Sequence, residues 1–191
     1  FIAFSTTANA ENKENILNNL KKTNNLSFKF EQYINDNIEV GSCVIKYPKK
    51  IFCTYDVSNK KILVSNGKSL VIKTTNSFYI YPLERTPLNF ILDKDYLIKK
   101  IKFLEERIID DKFINFNFTE DTNGTEINIF FDYKTNNLIG WQTLDLYQNL
   151  SILFLRNEMF LTKEEQSYWS CVFYSPNWFS FWLSNVSGHA L

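Results

Sequence analysis

Glycine is scarce, with 5 in 191 residues, and no glycine-rich pattern stands ahead of a helix, so nothing here would cradle a phosphate. Asn66-Gly67-Lys68 is a turn, not a phosphate loop. The sole histidine, His189, lies in the last residues, and the three cysteines, Cys43, Cys53 and Cys171, include no Cys-x-x-Cys pair. That leaves no metal site and little material for Ser-His or Cys-His catalysis. Charge of one sign is missing as well. Lys plus Arg is 21, Asp plus Glu is 21, and no long basic run offers a patch to nucleic acid or anionic lipid. No segment reaches the roughly 18 uninterrupted apolar residues of a membrane helix. Asp56, Asp132, Asp145 and the pair Glu105-Glu106 occupy solvated strand or loop positions with no shared carboxylate site. An enzyme is not expected, and neither is a cofactor.

What the chain does have is aromatic mass: 18 Phe and 10 Tyr, with aromatics at 17%. Large rings with little glycine point to β-structure with broad apolar faces, and the length suits one domain. The opening FIAFSTTANA closes on Ala8-Asn9-Ala10, the pattern that signal peptidase cuts after. Residues 1–10 are therefore expected to be the remnant of a secretory signal, with Glu11 beginning an exported protein; an ordinary frayed terminus is the alternative. Cys43 and Cys53 flank Pro48 with matching strand parity. In an oxidising compartment they can form a disulfide, and they serve equally as two small buried thiols.

Ile16, Leu17 and Leu20 recur at helical spacing in ENKENILNNLKKTNN, giving an amphipathic helix that ends near Asn24. Alternation then takes over. LSFKFEQYI sets Leu26, Phe28 and Phe30 on one face, and IEVGSCVIKY continues with a change of parity at Gly41 that reads as a bulge. IFCTYDV, KILVS, SLVIKT and SFYIYPL complete six strands, with Asn66-Gly67 as a two-residue hairpin whose residues both tolerate positive φ. In RTPLNFILDKDYL the period of two disappears: Thr86 caps and Pro87 starts a short apolar helix through Leu88, Phe90, Ile91 and Leu92. KIKFLEERI, KFINFNFTED, TEINIFFDYK and NLIGWQTLDLYQNLSILFL supply four or five further strands.

The expected fold is mainly β with α, a long antiparallel meander curled around two greasy helical segments. Its inner face carries Phe, Tyr and Ile in excess of small residues, and PLNFIL is more apolar than a surface connection needs. A solid core and a ligand cavity share this lining, and the residues alone do not separate them.

NLKKTNNLSFKFEQ, then KYPKKIFCTYDVSNKKILVSNGKSLVIK, then RTPLNFIL, resemble in order the strands, hairpin and Thr-Pro helix of the LolA family of periplasmic lipoprotein carriers. The likeness runs from about Ile16 to Phe154. It implies an unclosed antiparallel β-barrel with short helices as a lid on the concave side, in a domain spanning residues 11–157. It further implies a periplasmic carrier, acting as a monomer, that holds the acyl chains of lipoproteins, taking them from an inner-membrane ABC transporter to an outer-membrane receptor. The residues expected to line the acyl cavity and lid are Leu20, Phe28, Phe30, Ile45, Tyr47, Ile51, Cys53 and Tyr55. Leu70 and Ile72 of the hairpin join them, with Leu88, Phe90, Ile91 and Leu92 of the moving helix. Another envelope lipid-binding or sensor protein on this fold, or an interaction domain with a solid core, are the alternatives.

The chain departs from the family at three places. Tyr47 stands where an Arg before the Pro holds the lid helix shut, and a phenol donates one hydrogen bond instead of a charged fork. Cys53 stands where an aromatic is common. Residues 158–191, with three of the four Trp, follow no clean period and match nothing in the family. They read as a divergent or frame-shifted end; a membrane-touching aromatic tail is the alternative. Resequencing the coding DNA is expected to reveal a shifted frame near residue 158, and an intact frame recurring in independent copies overturns that reading.

Overall fold

The computed structural model describes residues 7–34, 37–120, 124–144 and 149–156; the rest of the proposed signal remnant, Asp145, and the aromatic tail with Cys171 and His189 lie outside them. The first helix, α1, spans Thr7–Lys22. Six strands follow: β1 (Asn25–Ile34), β2 (Asn37–Lys46), β3 (Lys50–Tyr55), β4 (Ile62–Asn66), β5 (Ser69–Lys73) and β6 (Phe78–Pro82). A single 3-10 turn and two short helices, α2 (Leu88–Ile91) and α3 (Lys94–Phe103), interrupt the strands. The chain then returns through β7 (Arg107–Ile109), β8 (Phe113–Thr119), β9 (Glu126–Asp132), β10 (Leu138–Leu144) and β11 (Leu150–Arg156).

All eleven strands form one antiparallel sheet in the order β6-β5-β4-β3-β2-β1-β11-β10-β9-β8-β7. The last strand pairs with the first, and β6 and β7 remain as edges. The architecture is the unclosed antiparallel barrel expected from the sequence. Strict alternation explains it: β3 and β9 bury every second residue, so one face must turn inward. Phe30, Ile45, Ile51, Phe116, Phe131 and Trp141 of that face share one core cluster with Ile16 and Leu20 of α1 and with Phe90, Leu97 and Ile101 from the inserted helices. Val44, Val64 and Val71, of opposite parity, are also buried.

Several local expectations are corrected. KIKFLEERI is not a strand: residues through Phe103 belong to α3, because Leu97, Ile98 and Ile101 form a helical stripe that is buried, and only Arg107–Ile109 pair with β8. Gly41 is not a bulge, since β1 and β2 pair without interruption from Asn25↔Lys46 to Ile34↔Asn37. Parity changes there because Ile38 and Val40 point outward and are exposed; the register shift sits instead at Leu138/Gly140. Thr86 does not cap α2. Pro87 occupies the cap position and Thr86 Oγ1 donates to the Leu83 carbonyl at 2.9 Å. In the β4–β5 turn Gly67 has positive φ (97°) but Asn66 does not. The Asn66 side chain instead accepts from the Lys68 and Ser69 amides.

Gly41 has a different purpose. It lies between Phe30 on β1 and Tyr55 on β3, and without a side chain there the two rings meet edge to face over β2, centroids 4.9 Å apart.

The helices are fastened by polar contacts. The Lys94 ammonium donates to the Lys21 and Thr23 carbonyls and to Asn24 Oδ1 at 2.9–3.2 Å, placing a cation on the carbonyl end of α1 where the helix dipole favours it. Asp93 caps α3 by accepting from the Tyr96 amide. Asn19 of α1 donates to the Thr135 and Asn136 carbonyls and to Asn137 Oδ1, and Lys13 donates to the Leu104 carbonyl at 2.6 Å. Beneath Lys13, both Glu106 carboxylate oxygens are buried without a hydrogen-bond partner among the described residues. Desolvation raises its pKa above the ordinary 4.5, with the Lys13 charge partly opposing.

A methyl group added at position 41 would lie 2.1 Å from the Thr54 carbonyl oxygen and 2.9 Å from the Phe30 ring. Gly41→Ala is therefore expected to lower stability by about 2 kcal/mol in urea denaturation. Glu106 gives a pH test. Its folded-state pKa is raised, so the native chain holds the proton more tightly than the unfolded chain, and the burden of burying the charge grows as pH rises above 4.5. Glu106→Gln is expected to raise the melting temperature at pH 7–8, the gain shrinking as pH falls toward the ordinary carboxylate value.

Candidate functional site

The concave face is not filled throughout. Between β1, β3–β6, β10, β11 and the segment before α2 lies a cavity of about 330 Å³. Ile51, Leu63, Leu70, Ile72, Trp141 and Leu153 make its apolar wall, with Leu88 at the helical side. Tyr79 and Tyr81 of β6 also line it, their rings stacked 6.4 Å apart. Tyr79 is exposed, which puts the mouth at the β6 side.

Of the residues singled out from the sequence, Ile51, Cys53, Tyr55, Leu70, Ile72 and Leu88 line this cavity. Leu20, Phe28, Phe30, Ile45, Tyr47, Phe90, Ile91 and Leu92 are buried in the surrounding core cluster, outside the wall. The helices press their largest side chains against that part of the sheet. Cys43 and Cys53 stand directly opposite on β2 and β3, with Cα atoms 4.1 Å apart and sulfurs at bonding distance, 2.00 Å. So close a Cα pair marks a non-hydrogen-bonded position of the ladder, where facing side chains are nearest.

Tyr47 does not replace the Arg latch. It is buried, its hydroxyl has no hydrogen-bond partner among the described residues, and burial pushes its pKa up to about 12. The helical segment is tied to the β2–β3 turn by Lys49, whose amide donates to the Leu92 carbonyl at 2.7 Å and whose ammonium lies 3.6 Å from Asp93.

One side of the cavity is polar, and sequence reasoning missed it. Tyr55 Oη donates to Gln32 Oε1 (3.0 Å), and Gln32 Nε2 donates to Ser151 Oγ (2.8 Å). Lys61 Nζ pairs with Glu39 at 2.5 Å and rests 4.2 Å from the centre of the Tyr55 ring. Burial, and secondarily the Glu39 charge, drive the Tyr55 pKa well above its ordinary value of 10.0, so the phenol stays protonated and remains a donor. Parity could have flagged Gln32, which continues the inward series of Phe28 and Phe30. Its convergence with Ser151 depends on the β1–β11 pairing, a contact between the two ends of the sheet-forming chain.

Among the described residues no group of three or more His, Cys, Asp or Glu could hold a metal ion, and no helix is long and apolar enough to cross a membrane. The arrangement offers an apolar container with a hydrogen-bonding end.

Several solved structures are similar to this chain at low identity. An uncharacterized conserved protein from Thermus thermophilus is similar at a TM-score of 0.45 and 10% identity, over 82% of this chain and 90% of the other. A LolA superfamily protein from Nitrosomonas europaea is similar at 0.42 and 6% identity, over 82% and 96%. MucB is similar at 0.42 and 10% identity, over 84% and 62%. No curated protein matches by sequence. The profile of the outer membrane lipoprotein carrier protein family, however, matches residues 21–162, from the end of α1 through β11, and so spans the whole sheet and both inserted helices: this chain belongs to the LolA family.

Proposed function

We propose that this protein is a periplasmic carrier that takes an acyl chain of a lipoprotein into the concave cavity and shuttles its client from the inner to the outer membrane. An inner-membrane ABC transporter would load it and an outer-membrane receptor would unload it; it acts as a monomer and catalyses no reaction. The observation that carries this reading is the unfilled apolar cavity of about 330 Å³ on the concave face of a chain of the carrier family.

Magnitudes agree with reversible carriage. A methylene displaces about as much volume as a water, roughly 30 Å³, so the cavity accommodates on the order of ten methylenes, one chain and not a bundle. At about 0.8 kcal/mol per buried CH₂ this gives about 8 kcal/mol before ordering costs, which corresponds to micromolar binding at best. A client could therefore be handed on. Further chains would need the α2 segment to move away.

The full chain in detergent-free buffer is expected to form a soluble complex with a triacylated lipoprotein and none with the same protein lacking its acyl chains. Ile72→Trp, which fills the cavity from its half-buried wall, is expected to weaken that complex about tenfold or more while leaving the far-ultraviolet dichroism unchanged. No complex from the folded chain would indicate a domain whose concave face is used otherwise.

A further inference from the structure

The cavity is apolar along most of its wall, yet its polar end follows a particular arithmetic. Gln32, Tyr55, Lys61, Thr143 and Ser151 line it, and Glu39, just outside the wall, is paired with Lys61. Glu39 and Gln32 are register partners across β1 and β2, as are Thr143 and Ser151 across β10 and β11, so one level of the curled sheet gathers side chains from both halves. Lys61 and Glu39 cancel each other's charge, with their side chains 17% and 21% exposed, so solvent screens the pair only in part.

Several hydrogen-bond donors at this end are not used up. Tyr55 already donates into the Gln32 carbonyl oxygen. Gln32 Nε2 uses one of its two hydrogens on Ser151, which leaves the second. The Ser151 hydroxyl hydrogen is not used in that bond, Thr143 lines the same space, and the ammonium of Lys61 has hydrogens beyond the one directed at Glu39. The end of the cavity is thus rich in donors and carries no net charge.

From this we infer that the polar end is a head-group site for an uncharged acyl carbonyl, an ester or amide, and that Glu39 makes it discriminate against free fatty acids. A neutral carbonyl accepts from the spare donors without disturbing the ion pair. A carboxylate would meet Glu39 as a like charge close to the same ammonium, and would either leave the site with a net negative charge at low dielectric or force the Lys61–Glu39 pair apart. The carboxylate of Glu39 therefore already engages the one cation that an acidic head group in the cavity would need, and the Tyr55 ring beneath Lys61 keeps the ammonium in place. Specificity of this kind comes from a built-in repulsion as much as from an attraction. The inference rests on the acyl-cavity reading above and specifies its ligand.

The test uses the full chain and two ligands of equal chain length, 1-dodecanoylglycerol and dodecanoate, each displacing the neutral fluorescent probe N-phenyl-1-naphthylamine at pH 8. The wild-type protein is expected to bind the ester about tenfold more tightly than the carboxylate, the scale of one adverse charge contact. Glu39→Gln is expected to bring the ratio close to one by strengthening dodecanoate binding. Lys61→Met, which removes the cation and leaves Glu39 uncompensated, is expected to widen the ratio. Equal or tighter binding of dodecanoate by the wild type overturns the inference, as does a ratio that neither substitution moves, because the preference would then be only the desolvation of a carboxylate in an apolar space. Failure of both ligands to displace the probe from the folded wild type overturns the acyl-cavity reading itself and this inference with it.

Discussion

An antiparallel sheet with one apolar face must either close on itself or be covered, and this one does neither completely. Its eleven strands leave β6 and β7 as separate edges, and the cover consists of α1, the four-residue α2 and the ten-residue α3. Where these helices press against the strands, Phe30, Ile45, Phe90 and Leu92 are shut off from solvent almost entirely. Where they do not, the cavity remains. Container and core are thus one apolar surface, divided by how far short helices reach, and the boundary between them shifts whenever the helices do.

The same division explains what was legible in the amino-acid sequence. Inward parity is a local property, so Ile51, Cys53, Tyr55, Leu70 and Ile72 could be assigned to the concave face from alternation alone, and all five line the cavity. Membership of wall or core is not local. Phe28, Phe30 and Ile45 have the same parity and chemistry but lie outside the wall. The second half of the wall, Trp141, Thr143, Ser151 and Leu153, comes to face the first only because β11 returns to β1 from far along the chain. No short-range pattern encodes such a pairing. The helix of residues 94–103 reads as a strand for a related reason: KIKF alternates by itself, and only the burial of Leu97, Ile98 and Ile101 on one side reveals the longer period.

Polarity inside an apolar container is expensive unless it is satisfied, and the polar end of the cavity meets that condition mostly through cross-strand partners. Gln32 is engaged on both of its polar atoms and Lys61 by charge and by a ring. Tyr47 and Glu106 contrast with them, their side-chain oxygens buried without a hydrogen-bond partner among the described residues. Both stand near helix attachments instead of in the cavity wall: the Tyr47 amide bonds to the Asn24 carbonyl just past α1, and Glu106 feels the charge of Lys13 on α1. Unsatisfied groups at such places lower the local stability of the helix attachments.

Lys94 bears on how the helices can shift. Its ammonium is shared among three acceptors at the end of α1 while its backbone begins α3, so the two helices are joined where one stops and the other starts. Withdrawing either alone would strand a cation or a set of helix-end carbonyls. One side chain thus ties the end of α1 to the start of α3, so parting them there breaks three hydrogen bonds at once, whereas the cavity borders Thr86, Pro87 and Leu88 and neither of those two helices.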